Sequence, residues 1–298
     1  MGVERFLGAA WASVHGPADP RALLTWTLEQ GFRGLLAAPA PRPIDWSGVR
    51  RALRALPATV VAVRIGSILT ADDRPDAGLA SSHAGERASA AAAVADAVRQ
   101  AGELGAQRVV LEPGIVTVPG EPRATDLGDA SAQWTPEAAR TQLARRNAGL
   151  ERALDASCRS LHALCRQFPE TDFALTASRH VFGLGEAGSL EAIFEDLAGF
   201  RLSYWHDAPA EARRCELLGE SPGRGLESFG NRISGMTLGD SADGQLYLPP
   251  GAGGVDYALV SAYRTRHAGR FPVVLELDPA VDPGEISGVL AFLSKFGL

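Results

Sequence analysis

Lysine is almost missing from this chain: Lys295 is the only one in 298 residues, so arginine carries nearly all the positive charge. Arginine in place of lysine can signal anion recognition, but a coding bias toward arginine is the more common cause and the preferred reading. A basic surplus is also lacking. With 29 Lys and Arg against 35 Asp and Glu, the net charge is −6, which repels phosphate backbones and anionic lipid. Nucleic acid and membrane surfaces are therefore poor partners, and a small neutral or weakly anionic molecule fits better. Cysteine is scarce: Cys158, Cys165 and Cys215 are odd in number and lack metal-ligand spacing, which excludes a disulfide framework and points to a reducing cytoplasm. No apolar run reaches membrane-spanning length, and the opening residues lack a basic leader followed by a long apolar core. Also missing are a Walker loop, a CxxC pair, an HExxH helix, a Gly-x-Ser-x-Gly elbow and a dinucleotide glycine fingerprint after the first apolar run.

What is present is a repeated alternation. Short apolar runs at 6–12, 34–38, 59–65, 108–112, 172–176, 201–205, 232–237 and 272–277 read as strands. Those around Val60, Val109 and Val273 have the unbroken β-branched character of parallel strands covered on both faces. Between them lie amphipathic helices. Val94, Val98, Ala101 and Leu104 recur at three- and four-residue steps within 86–104, and the pattern continues over 136–168 and 285–296. Eight strands alternating with helices and ending on a helix predict a single (β/α)8 barrel over 1–298, with a doubly wound open sheet as the rival.

Loop lengths predict where the site lies. Helix-to-strand connections are tight, whereas the strand-to-helix loops at 66–85, 113–135, 177–188 and 238–254 are long and rich in Gly, Pro and Asp. In such a barrel these gather at the C-terminal ends of the strands, the face that carries active sites. Residues expected at the strand ends are His15, Arg64, Glu112, Thr176, Trp205, His206, Asp207, Thr237, Asp240, Glu276 and Asp278. Any one of them alone is most simply a satisfied structural polar group. Their convergence on one face makes them binding and catalytic candidates. Arg179 and His180, in the loop after the fifth strand, are placed to meet an anionic substrate or simply to be solvated. Trp205 is the tryptophan best placed to stack on a sugar ring. Gly251, Gly253 and Gly254 read either as a phosphate cradle or as a rigid turn leading to a helix capped by Asp256.

Three segments carry a resemblance to a known family. They are Ala101-Gly102-Glu103-Leu104-Gly105-Ala106-Gln107-Arg108-Val109-Val110, then Gly235-Met236-Thr237-Leu238-Gly239-Asp240 with Leu248-Pro249-Pro250-Gly251-Ala252-Gly253-Gly254-Val255-Asp256, then Val273-Val274-Leu275-Glu276-Leu277. In this order the chain resembles, over nearly its whole length, the xylose-isomerase-like barrels, which include sugar phosphate isomerases, ketose epimerases and inosose dehydratases. The resemblance implies a divalent cation (Mn, Mg, Co or Zn) held by Glu, Asp, His and Glu at the ends of strands five to eight. Here Glu276 alone keeps its type. Thr176, His206 and Thr237 stand at the other three positions, Pro209 stands for a further histidine, and Glu112 for a histidine on strand four. Threonine hydroxyls are feeble ligands, so the chain reads as a divergent member with a depleted metal site, holding its cation through Glu112, His206, Asp240 and Glu276, with Asp207 as alternative to His206, or holding none.

The implied chemistry is proton transfer next to a carbonyl of a sugar or polyol, with Glu276 as base or ligand and Glu112 and His206 assisting. His15, Arg64, Thr176, Arg179, Trp205, Thr237 and Asp240 are the expected substrate contacts. The alternative is a non-catalytic barrel that binds a small ligand or a partner after losing the cation. A DNA-repair endonuclease of the same superfamily is excluded by the acidic balance and only six histidines. Pairing of two copies through outer helices is compatible with the resemblance.

Overall fold

A computed structural model describes residues 3–65, 78–118, 126–128, 133–266 and 271–298. Eight parallel strands, β1 (Arg5–Gly8), β2 (Gly34–Ala37), β3 (Thr59–Arg64), β4 (Arg108–Leu111), β5 (Asp172–Thr176), β6 (Leu202–Asp207), β7 (Ile233–Leu238) and β10 (Val273–Leu275), close into a barrel in the order β1-β10-β7-β6-β5-β4-β3-β2. The predicted (β/α)8 architecture is therefore the observed one. A two-stranded antiparallel ribbon, β8 (Asp240–Ala242) and β9 (Gln245–Leu248), lies outside the barrel, within the loop after β7.

Around the barrel run α1 (Ala9–His15), α2 (Pro20–Glu29), α3 (Trp46–Leu53), α4 (Ala84–Leu104), α5 (Pro136–Asn147), α6 (Leu150–Gln167), α7 (Ala187–Asp196), α8 (Ala208–Leu218), α9 (Arg224–Phe229), α10 (Tyr257–Arg266) and α11 (Ile286–Lys295). Among the described residues no helix is long and apolar enough to cross a membrane. Helix starts follow local chemistry. Asp19 caps α2 by accepting from Ala22 N at 2.8 Å, with Pro20 at the first turn, and Thr135 caps α5 by accepting from Ala138 N at 3.2 Å. Cys158, Cys165 and Cys215 are unpaired.

Two expected boundaries are corrected. The first strand stops at Gly8, and residues 9–12, read as its continuation, begin α1. Both a strand and a helix can bury the apolar run Ala9-Ala10-Trp11-Ala12, and the alanines favour the helix. The helix expected over 136–168 is two, broken at 148–149. Glycine at 149 is a poor helix former by about 1 kcal/mol.

Side-chain alternation along the strands divides the molecule into two cores. Phe6, Leu36, Ala62, Val110, Ala174, Trp205 and Val274 point inward and fill the barrel. Leu7, Leu35, Val63, Val109, Leu111, Phe173, Leu175, Tyr204, Met236, Val273 and Leu275 point outward into the helical shell. That period of two decides which strand-end residues can reach a ligand.

Candidate active site at the barrel mouth

Two residues beyond the interior layer, the same inward phase reaches Gly8, Arg64, Glu112, Thr176, Asp207 and Glu276. Arg64, Glu112 and Glu276 line a cavity of about 460 Å³ at the C-terminal ends of the strands, together with Asp126, Arg179, His180, Tyr247 and Asp278. Glu276 extends the ladder past β10, its N–H donating to Leu238 O at 2.9 Å. Its side chain turns over β1, where a Cβ on residue 8 would sit 2.2 Å from Glu276 Oε2, so only glycine leaves room.

Glu276 is 7% exposed, and its Oε2 is buried without a hydrogen-bond partner among the described residues. Burial pushes its carboxyl up to about 7; Arg64 opposes the shift and the like charge of Asp207 adds to it. The Oγ1 of Thr176 is likewise buried and unpartnered. Arg64 donates to Asp207 Oδ2 at 2.7 Å, and Tyr247 OH donates to the same oxygen at 3.2 Å. Burial works against the Arg64 charge, but Tyr247, Asp207 and Glu276 outweigh it and hold the proton more tightly than on an ordinary guanidinium. Ser178 donates to Glu112 Oε2 at 2.6 Å, and Arg179 is ion-paired with Asp126. For Arg179 too, burial is overcome by Tyr247, Asp126 and Glu112, and its charge is strengthened.

Tyr247 comes from the β8–β9 ribbon, which folds over the mouth with Tyr247 O accepting from Asp278 N at 2.8 Å. Its backbone sits at φ 63°, a left-handed conformation that a tyrosine adopts only when its surroundings hold it there.

Several expected site residues fall elsewhere. His206 has the opposite phase to Asp207 and faces away from the mouth, into a second cavity beside α8 and α10 that Glu211, Cys215, Ser241 and Asp256 also line. There its Nδ1 lies 3.1 Å from Tyr204 OH, and burial lowers its pKa to about 4, Asp207 opposing. Burial thus disfavours the charged imidazole, and the ring is separated from the mouth where Glu276 lies. The neighbouring Glu211, pushed up to about 7 by burial against the pull of Arg214, accepts from Tyr204 OH at 3.1 Å.

Asp240 is fully buried, and its carboxylate accepts from the backbone N–H groups of Ser241, Gly251 and Val255, each at 2.9 Å. The glycine loop thus closes around an anion of its own, and Asp256 caps α10 through Leu259 N at 2.9 Å. Of the two readings of that loop, the rigid turn is the one observed. Trp205 is fully buried inside the barrel and donates to Thr237 Oγ1 at 2.9 Å, so these two form the floor beneath the mouth instead of a stacking wall. His15, at the end of α1, lies within 2.8 Å of Pro279 O and against Trp11, bracing the loop after β10. The expected loops at 66–85 and 113–135 lie partly outside the described residues.

The donor set does not suit a divalent cation. Asp207 is occupied by Arg64 and Tyr247 on Oδ2 and by Ala210 N at 3.3 Å on Oδ1, and Asp240 is consumed by amides. Among the described residues no three His, Cys, Asp or Glu side chains are grouped to hold a metal.

No protein-family model matches the chain, and no curated protein does. Solved structures do match in fold. The chain is similar to a D-tagatose 3-epimerase-like protein at 14% identity and TM-score 0.67, covering 99% of this chain and 97% of that one. It is similar to the 3-keto-D-glucoside 4-epimerase of E. coli at 12% identity and TM-score 0.66, covering 98% and 99%. The D-psicose 3-epimerase of Clostridium cellulolyticum H10, solved with D-tagatose, matches at 11% identity and TM-score 0.63, covering 99% of both chains. At 11–14% identity the likeness is one of fold: these structures and this chain share the (β/α)8 barrel over nearly their whole lengths.

Proposed function

We propose that the barrel mouth binds a small neutral carbohydrate and moves a proton on the carbon next to its carbonyl, with Glu276 as the base. The observation that carries this reading is the state of Glu276: a buried carboxyl with one unpartnered oxygen and a pKa near 7, facing a cavity with Arg64, Glu112 and Tyr247. An acid left unsatisfied at the mouth of a barrel costs stability and is retained where chemistry uses it. The similar structures named for tagatose and psicose epimerisation lend the substrate class, a free ketose or related polyol.

In this scheme the ionised Glu276 takes the proton from the carbon. The C–H electron pair becomes a C=C bond, and the carbonyl π pair moves onto oxygen. The N–H groups of Arg64 that are not given to Asp207 offer hydrogen bonds to that developing charge. Return of a proton to the opposite face inverts the carbon; return to the former carbonyl carbon, with the proton of the adjacent hydroxyl passing to the enolate oxygen, isomerises the sugar. Glu112, held by Ser178, is the candidate acid on the other wall. Phosphorylated sugars are disfavoured, because Arg64 and Arg179 are already ion-paired and the glycine-loop amides serve Asp240.

The test is proton NMR in D2O with free ketoses and aldoses, including D-tagatose and D-psicose, and their phosphates. Loss of the signal from the carbon-bound proton next to the carbonyl of a free sugar is expected, slowed roughly 10²–10⁴-fold in Glu276→Gln. Sugar binding without exchange would instead identify a non-catalytic binding barrel.

A further inference from the structure

We infer that Arg64 is the resident cation of this site, its guanidinium standing where a divalent metal would otherwise sit between the carboxylates of Asp207, at the end of β6, and Glu276, just past β10. The inference deepens the proposed function and rests on it for the role of the charge. Arg64 ends β3 on the inward phase, and its side chain is only 11% exposed against a fully buried Asp207 carboxylate 2.7 Å away. Asp207 acts on Glu276 as a like charge, and Arg64 is the positive group that faces both. Two facing carboxylates in a buried site require a counter-charge. Here the protein supplies it covalently.

Chemistry and geometry agree on what this replaces. A divalent ion needs several oxygen or imidazole donors with lone pairs to give, and those of Asp207 are committed to Arg64, Tyr247 and Ala210 N. A metal at the mouth would also face the fixed charge of Arg64. A guanidinium instead offers five N–H donors in a plane, enough to hold Asp207 with one edge and meet a ligand oxygen with another. Tyr247 locks the arrangement by donating to the oxygen that Arg64 uses, from a backbone position held at φ 63°.

Removing Arg64 should then turn the site into a metal site. The experiment is titration of the full chain with Mn²⁺, read by EPR of the free ion and by thermal stability, for wild type, Arg64→Met and Arg64→Met/Glu276→Gln. Wild type should take up no Mn²⁺ at millimolar concentration and show no shift in Tm. Arg64→Met should bind a single Mn²⁺ with a rise in Tm, and the double variant should lose both. Arg64→Gln, which keeps an N–H for Asp207, carries the same comparison if the methionine variant does not fold. Wild type that binds Mn²⁺ in a manner lost in Glu276→Gln overturns the inference, as does an Arg64 variant that gains none. Absence of sugar exchange beside a metal-gaining Arg64→Met would remove the catalytic reading and leave the cation assignment standing.

Discussion

Replacing Glu276 by glutamine should make the protein more stable, and the gain should depend on pH in a way fixed by the site. Burial raises this carboxyl from 4.5 to about 7. The native state therefore holds a proton that the unfolded chain releases between those values, and raising the pH through that window favours unfolding. Below pH 4.5 both states are protonated and Glu276 imposes no ionisation cost. Above about 7 the cost is complete, about 3 kcal/mol at roughly 1.4 kcal/mol for each tenfold change in proton affinity. Glutamine is nearly isosteric and never ionises. Thermal or urea unfolding of both proteins across this range should show matching stabilities in acid and a glutamine advantage of about 3 kcal/mol by pH 8. Using the difference between the two proteins isolates Glu276 from Glu211, which is also raised to about 7 and adds a slope of the same sign to each. A difference that stays flat with pH would refute the argument that burial of Glu276 outweighs the pull of Arg64.

Two further outcomes follow from named contacts. Asp240→Ala orphans three backbone N–H groups that each donate at 2.9 Å, and should cost at least about 3 kcal/mol of unfolding free energy, with faster amide exchange at Gly251 and Val255. Gly8→Ala puts a methyl group 2.2 Å from Glu276 Oε2 and should abolish sugar exchange; an alanine variant with wild-type exchange would mean that Glu276 does not occupy the mouth as described.

The barrel was legible because its signal is redundant: β-branched runs such as that around Val60, amphipathic spacing such as Val94 to Leu104, and tight helix-to-strand turns all favour the same closure. The site was only half legible. Arg64, Glu112 and Glu276 follow from strand position, but His206 and Asp207 are adjacent, and a one-residue choice of phase exchanges the shell-facing and mouth-facing sides of a strand. Trp205, central to the barrel filling, fixes that phase, and its apolar bulk beside two polar neighbours was a usable signal. Asp240 misleads because an acid after a strand resembles a ligand, whereas its partners are amides 11 and 15 residues away, a relation set by loop conformation. Tyr247 left no trace, since its role depends on the β8–β9 ribbon folding back over the mouth.

The central claim, that Glu276 is the base of a proton-transfer site, is tested most directly by the pH profile of deuterium incorporation into a free ketose. The rate should rise with a midpoint near 7, level off above it, and fall to background across the whole range in Glu276→Gln. A profile with a midpoint near 4, or exchange that survives the substitution, would contradict it and assign the chemistry to another group.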